Sequence, residues 1–263
     1  MTNVDAGVGD RLALAVLVQY RMATTEQMHL AIAPQVRIEQ TRRRLAKLRG
    51  RPPKAVLDRT AARLRVGHAL TVTETGLTFL KDARRRGDVC QPLDWIPETH
   101  HPVGGKEAVV PDALMYYQRG PADDDGDAGA MLQAFVEIDR ATTGPERLAA
   151  TLTTYARLHT YTSQPAGRQP DSHQEQHEAW RHTYPFFPRL LFVLDGTGPT
   201  GIATRITALH TATGEPSVAA FLREVPALAA PLADLLRDGP SAPVWRPLRD
   251  PARRVGWMHC AHL

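Results

Sequence analysis

The stretch Met131–Arg140, MLQAFVEIDR, decides the fold because its apolar and polar side chains alternate. Successive side chains of a β-strand point to opposite faces, so the alternation predicts a strand on which Leu132, Ala134, Val136 and Ile138 share an apolar face. The opposite face carries Phe135, Glu137 and Asp139. Two carboxylates on one face of a core strand are costly unless water, protons or a cation neutralise them. The stretch therefore predicts a strand of a core sheet and an acidic site on that strand.

A third carboxylate precedes a neighbouring strand candidate. Pro111-Asp112 comes just before Leu114–Tyr117, which is rich in apolar and aromatic residues. Carboxylate oxygens are the ligands that Mg²⁺ and similar hard cations prefer. Asp112, Glu137 and Asp139 therefore indicate a metal site or the remnant of one.

The rest of the second half completes a layered pattern around this strand. Pro145 suits the first position of a helix with the apolar stripe Leu148, Leu152 and Tyr155. A short apolar strand follows at Leu190–Leu194, and then a helix from about residue 200. The order strand, strand, helix, strand, helix predicts a small α/β core.

The first 90 residues predict a different unit. Helices are expected at Asp10–Tyr20, from Thr25 to Ile32 and at about Val36–Arg49. Two short strands are expected next, at Ala55–Asp58 and His68–Thr73, before a helix that runs to Arg86. Three helices followed by a two-stranded ribbon is the order of a winged helix-turn-helix, here over about residues 8–86.

Charge separates the two halves. Residues 1–90 hold 17 Lys and Arg against 8 Asp and Glu, whereas the remainder holds 15 against 20. A basic half joined to an acidic half is typical of proteins whose basic half contacts nucleic acid.

The third helix and the expected wing carry most of this positive charge. Seven Lys and Arg fall within the 13 residues from Arg42 to Lys54. In a helix-turn-helix the second paired helix enters the major groove, where its side chains reach bases and phosphates. The residues predicted to bind DNA are Gln40, Arg42, Arg43, Arg44, Lys47, Arg51, Lys54, Arg59, Arg63 and Arg65. Two alternatives remain, a merely solvated helix face and a winged helix that binds protein.

The composition argues against a membrane protein. The chain has no apolar run of 18 or more residues and no signal-peptide pattern. Its two cysteines, Cys90 and Cys260, lie far apart in sequence, which favours a reducing, cytoplasmic environment.

Taken together, several elements resemble the replication-relaxation family, whose members are linked to plasmid replication and DNA relaxation. These elements, besides the N-terminal helices, are Trp95, Glu98, Pro111-Asp112-Ala113, Phe135–Thr142, the helix to Tyr155, Leu191-Phe192-Val193, Asp238-Gly239-Pro240 and Val244-Trp245-Arg246.

The resemblance implies a restriction-endonuclease-like core of the PD-(D/E)XK type. Asp112 then matches the first carboxylate, Glu137 the second, and Glu98 the acid that often precedes them, with Mg²⁺ or Mn²⁺ as the implied cofactor. Asp139 occupies the position of the catalytic lysine, and no lysine follows Lys106. Only Arg140, Arg147 or Lys106 could supply the positive charge of the missing lysine, and an arginine cannot act as a base.

The sequence thus predicts two domains, a winged helix-turn-helix at 1–88 and a nuclease-like domain at 89–263. The expected function is binding of double-stranded DNA in the replication or maintenance of a plasmid or mobile element. The alternatives are a metal-dependent nuclease or nickase, with Asp112, Glu137 and Asp139 as its catalytic acids, and a dimeric winged-helix transcriptional regulator. Further partners allowed by the sequence are a second copy of the chain and replication proteins.

Overall fold

The computed structural model describes residues 8–48, 59–105, 107–120, 129–162 and 177–258. The chain divides into two compact units. The first unit, called the helical unit here, comprises Met1–Pro97 and Met115–Met131. The second, called the sheet unit, comprises Glu98–Leu114 and Leu132–Leu263. The predicted boundary at residues 88 and 89 stays a prediction.

The helical unit begins with four α-helices. They are α1 (Val8–Tyr20), α2 (Thr25–Ile32), α3 (Ile38–Leu48) and α4 (Arg59–Arg86). A capping box opens α2: the Thr24 hydroxyl accepts from the Gln27 amide, and the Gln27 side chain accepts from the Thr24 amide. At the other end of α2, the Arg84 guanidinium donates to the carbonyls of Leu30 and Ala31, at 2.7 and 3.0 Å. Both ends of α2 are therefore satisfied by side chains.

The predicted strand His68–Thr73 is wrong, because these residues lie inside α4. Threonine and valine favour strands, but here the hydroxyls of Thr71 and Thr75 donate to the carbonyls four residues earlier. Buried side chains also recur at helical spacing along α4, from Val72 to Phe79, Leu80 and Ala83. Burial of this stripe outweighs the local strand preference.

The structure does not establish the rest of the expected wing. Ala55–Asp58 lies outside the described residues. Arg59, Arg63 and Arg65, which were expected on the wing, lie in α4. All residues between α3 and α4, 49–58, lie outside the described ranges, so a winged helix is not established.

The strands and later helices follow in chain order. They are β1 (Trp95–Pro97), β2 (His101–Pro102), β3 (Ala108–Val109), β4 (Ala113–Gln118), β5 (Met131–Asp139), α5 (Pro145–Thr160), β6 (Arg189–Leu194), α6 (Pro199–Ala212), α7 (Pro216–Glu224), β7 (Ala227–Pro231), α8 (Leu232–Asp238) and β8 (Arg246–Pro247).

The described strands form one mixed sheet of six, in the order β1-β4-β5-β6-β7-β8, and a separate β2–β3 pair. β5, β6 and β7 run parallel, with Glu137 opposite Phe192 and Phe192 opposite Ala229, and β8 is antiparallel to β7. The strands predicted at Leu114–Tyr117, Met131–Arg140 and Leu190–Leu194 are confirmed to within one residue at each end. The predicted α/β composition is therefore correct, although its nuclease-like arrangement is not established.

An aromatic cluster holds the helices of the sheet unit on its core. Phe187 makes edge-to-face contacts with Phe135 of β5, His159 of α5 and Phe221 of α7, with ring centroids 5.1–5.6 Å apart. Trp180 stacks on His159 and donates its indole N–H to the His159 carbonyl at 2.9 Å. These contacts fix α5 over the face of β5 that carries Glu137.

No helix in the described ranges combines the length and the apolar character that crossing a bilayer requires.

Candidate functional site

The exposed face of α3 carries three of the predicted DNA-binding residues. Gln40, Arg43 and Lys47 are all exposed and follow the spacing i, i+3, i+7, so they share one helix face. On the inner side, Thr41 is fully buried, and its hydroxyl lies 2.9 Å from Nδ1 of His29 in α2. This polar contact sets the rotation of α3 and turns Gln40, Arg43 and Lys47 towards solvent.

Two other predicted residues on α3 contact neighbouring helices instead. Nε of Arg44 lies 2.9 Å from the carboxylate of Asp10 in α1. Arg42 lies 3.7 Å from the Glu26 carboxylate of α2 and 3.8 Å from that of Glu39. Arg44 therefore ties α3 to α1, whereas exposed ion pairs such as those of Arg42 are weak and can exchange for a phosphate.

The remaining predicted DNA contacts are not described. Arg51 and Lys54 lie outside the described residues, and nothing is defined for the side chains of Arg59, Arg63 and Arg65. Their contribution stays a prediction.

In the sheet unit, two of the predicted carboxylates interact. Asp112 accepts the Ile138 amide on Oδ2 at 2.7 Å, which places it beside the strand residue that follows Glu137. Glu137 accepts the Tyr155 hydroxyl on Oε1 at 2.5 Å, and Tyr155 is completely buried in α5. Burial, and secondly the negative charge of Asp112, raise the pKa of Glu137 to about 8. At neutral pH Glu137 therefore holds a proton beside Asp112.

The third predicted catalytic acid, Asp139, is neutralised by an arginine that sequence reasoning missed. Nε of Arg205 in α6 donates to Oδ2 of Asp139 at 2.5 Å, and both side chains are only 10% exposed. Arg205 also donates to the Thr143 carbonyl at 2.8 Å, and Asp139 accepts the Ala141 amide at 3.0 Å. Asp139 therefore fixes the end of β5 against α6.

A local signal for Arg205 did exist. Arg205 falls within the apolar stripe Ile202, Ile206 and Leu209 of α6. A charged residue inside such a stripe is a candidate for a buried ion pair, although the pattern alone cannot name its partner.

Glu98 does not join the acidic pair in a metal-binding group. Its side chain is exposed and its backbone is left-handed, with φ 52°, while its amide donates to the Asp112 carbonyl at 3.4 Å. Among the described residues, no three His, Cys, Asp or Glu side chains converge as a metal site would require. Of the predicted metal ligands Asp112, Glu137 and Glu98, therefore, only Asp112 and Glu137 are neighbours.

The cations expected near the acids do not pair with them in the described ranges. Nε of Arg140 is buried without a hydrogen-bond partner there, Arg147 is exposed, and Lys106 is not described. Arg205, rather than Arg140, neutralises an acid of β5.

Aromatic and imidazole groups pack around Phe135, next to Tyr155, which donates to Glu137. Phe135 packs on Tyr155 with ring centroids 5.6 Å apart, and it also contacts His101 and Tyr184. Burial lowers the pKa of His101 to about 4, so this imidazole is neutral at physiological pH. Sequence reasoning missed His101 and Tyr184 because the hairpin and loop that carry them are distant from β5 along the chain.

The two units define a class: a protein with a basic helical unit and a mixed α/β unit whose central strand carries a carboxylate pair. Comparison with known families makes this specific. The family model described as replication-relaxation matches residues 49–171, and this match supports the resemblance seen in the sequence. No curated protein and no solved structure matches the chain significantly.

The matched segment contains Glu98, Asp112, Glu137 and Tyr155 but ends before Leu191–Val193. It also begins after α3. The similarity expected for the N-terminal helices and for the late strands therefore stays a prediction.

Proposed function

We propose that this protein binds double-stranded DNA through α3 and acts in the replication or maintenance of a plasmid or other mobile element. The observation that carries the proposal is the exposed face of Gln40, Arg43 and Lys47 on a helix whose opposite side is buried. The match of residues 49–171 to the replication-relaxation family supports the replication context.

The geometry of α2 and α3 supports docking of α3 on duplex DNA. α3 has 11 residues and packs on both α1 and α2, so it is a supported element and not an isolated helix. A B-DNA major groove is about 12 Å wide, which admits one α-helix. Arg43 and Lys47 are one turn apart and exposed, and neither pairs with an acid among the described residues. Both can therefore neutralise phosphates or reach base edges, and the Gln40 amide can pair with a base.

The proposal is tested by salt-dependent binding of a fluorescent duplex to the wild type and to the double variant Arg43→Ala, Lys47→Ala. Each lost phosphate contact lowers the slope of log K against log salt by about 0.9, so the double variant should lose up to about 2. The matched control is Arg223→Ala, Arg249→Ala, which removes two exposed arginines of the sheet unit. An unchanged slope in the α3 variant, or an equal loss in the control, would remove α3 from the interface.

A second candidate, a metal-dependent nuclease, is favoured by the proximity of Asp112 and Glu137. Two carboxylates suffice for a Mg²⁺ ion whose other ligands are water and phosphate oxygens. Asp112 and Glu137 fit that limited role, because a nearby cation would offset the effects of burial and of the Asp112 charge, which raise the pKa of Glu137. Asp139 does not fit the position of a catalytic lysine, since it is an acid paired with Arg205.

The two candidates are separated by incubating supercoiled DNA with the protein and Mn²⁺. Nicking that is lost in Asp112→Asn but retained in Asp195→Asn would support the nuclease. Absence of nicking, with intact binding through α3, would leave DNA binding as the function.

A further inference from the structure

A concave site lies in the sheet unit. It is a cavity of about 600 Å³ beside the ends of β6 and β7, between α6, α8 and the segment after β8. Small-molecule sites typically enclose about 300–1,000 Å³, and in α/β sheets they lie beyond the carboxyl ends of parallel strands. Size and position are those of a small-molecule site.

The walls of the cavity are aliphatic. Ile202, Ala203 and Ile206 of α6 form one side, and Pro231 and Pro251 lie among its other lining residues. Such walls accept a flat or compact apolar group, and they form a surface that water solvates poorly.

The rim of the cavity is positively charged. Arg246 and Arg254 line it, and the Arg246 guanidinium is held in place by donating Nη1 to the Pro251 carbonyl at 2.6 Å. From Arg246 to Arg254 the sequence holds four arginines and one aspartate, within the half of the chain that is otherwise acidic. The local excess of arginine favours an anionic group at this rim.

The start of α6 adds further donors to the cavity lining. Thr197 lines the cavity, and α6 begins at Pro199 after Gly198, without a side-chain cap. Amide groups at an uncapped helix start attract anions, so they reinforce the two arginines.

One acid inside the cavity narrows the choice of ligand. Asp234 is 15% exposed and lines the cavity, with Arg237 at 3.0 Å and Arg254 at 3.4 Å. A carboxylate has lone pairs beyond those two contacts and can accept from a hydroxyl or amino group of a ligand. A simple fatty acid has no such donor, whereas a nucleoside has several.

We propose that this cavity binds a nucleoside phosphate. The phosphate faces Arg246, Arg254 and the start of α6, the base lies against the aliphatic wall of α6, and Asp234 accepts from the sugar or the base. This site is independent of the DNA-binding face of α3.

The test is calorimetric titration of the whole protein with ADP, adenosine, inorganic phosphate and octanoate. ADP should bind saturably, and each of the other three should bind at least ten-fold more weakly. Arg254→Ala should weaken ADP binding about ten-fold. The exposed Ala203→Trp should fill the cavity and abolish binding, whereas Arg253→Ala, an exposed arginine outside the lining, should leave it unchanged.

Several results would overturn the proposal. They are absence of saturable ADP binding, phosphate or octanoate binding as tightly as ADP, and full ADP binding by Ala203→Trp. A 5′-phosphorylated single-stranded oligonucleotide should not bind the wild type more tightly than ADP does. If it did, and if Ala203→Trp abolished that binding, the site would hold the 5′ end of a strand and not a free nucleotide. Thermal unfolding of each variant without ligand shows that it is folded.

Discussion

Replacement of Glu137 by glutamine should remove a pH-dependent loss of stability from the sheet unit. The pKa of Glu137 is raised from 4.5 to about 8, first by burial and then by the charge of Asp112. The folded state therefore binds the proton more tightly than the unfolded state does. The stabilisation by this proton is complete below pH 4.5 and is lost as the pH rises towards 8.

The magnitude follows from the width of that window. Each pH unit between the unfolded and the folded pKa removes about 1.4 kcal/mol, so the wild type should lose about 4 kcal/mol from this carboxyl between pH 4.5 and 8. Glutamine keeps an oxygen for the Tyr155 hydroxyl but does not titrate. Glu137→Gln should therefore match the wild type near pH 5 and exceed it by a few kcal/mol at pH 8.

The assay is urea unfolding followed by tryptophan fluorescence at half-unit steps from pH 5 to 8. Three of the four tryptophans, Trp180, Trp245 and Trp257, belong to the sheet unit, so the signal mainly reports this unit. Titrating groups that do not interact with Glu137 contribute equally to both proteins and cancel in the difference. The companion variant Asp112→Asn should lower the pKa of Glu137 in the folded protein, because the Asp112 charge helps to raise it. The loss of stability should then end at a lower pH than in the wild type.

Parallel stability curves for the wild type and Glu137→Gln between pH 5 and 8 would refute the reasoning. They would mean that Glu137 is already ionised in the folded protein. Addition of Mn²⁺ to the wild type provides a further check on a cation between the two carboxylates. If one binds, the difference at pH 8 should shrink in Mn²⁺, and Asp112→Asn should lose that response.

Three further predictions concern single contacts. Arg205→Met leaves Asp139 buried without its partner and should cost about 3–5 kcal/mol, measured by chemical unfolding, whereas a cost below 1 kcal/mol would show that the pair is not buried in solution. Thr24→Ala removes the capping box of α2 and should cost about 1 kcal/mol, while Thr24→Ser should retain most of it. Burial lowers the pKa of His159, so the wild type should lose stability as the pH falls below 6.5, and His159→Phe should flatten that acid limb; an unchanged limb would contradict the shift.

Local patterns predicted the sheet unit well. β5 and β6 are buried strands whose apolar runs are visible in any short window of the sequence, and Pro145 marked the start of α5. The same approach failed at His68–Thr73, where strand-favouring residues form part of α4. Their side chains are satisfied by helical carbonyls and by burial, and neither effect can be computed from single-residue preference.

The candidate functional residues were also predicted only in part from the sequence. The family resemblance predicted Asp112 and Glu137 as the two acids of one site, and the charge of Asp112, after burial, does raise the pKa of Glu137. On α3, composition predicted a basic surface but could not separate Arg43 and Lys47 from Arg44, which binds Asp10. That distinction depends on the rotation of α3, which the buried Thr41 fixes.

By itself the sequence determined the basic and acidic halves, the alternating strand with its carboxylates, and the residues that match the replication-relaxation family, because each is a property of composition or short-range spacing. Only the tertiary structure decided that Arg205 neutralises Asp139 across 66 positions of sequence and that a 28-residue helix contains the expected strand His68–Thr73. The physical reason is that charge pairing and burial depend on which distant side chains share a low-dielectric interior, and the chain decides this only when it packs.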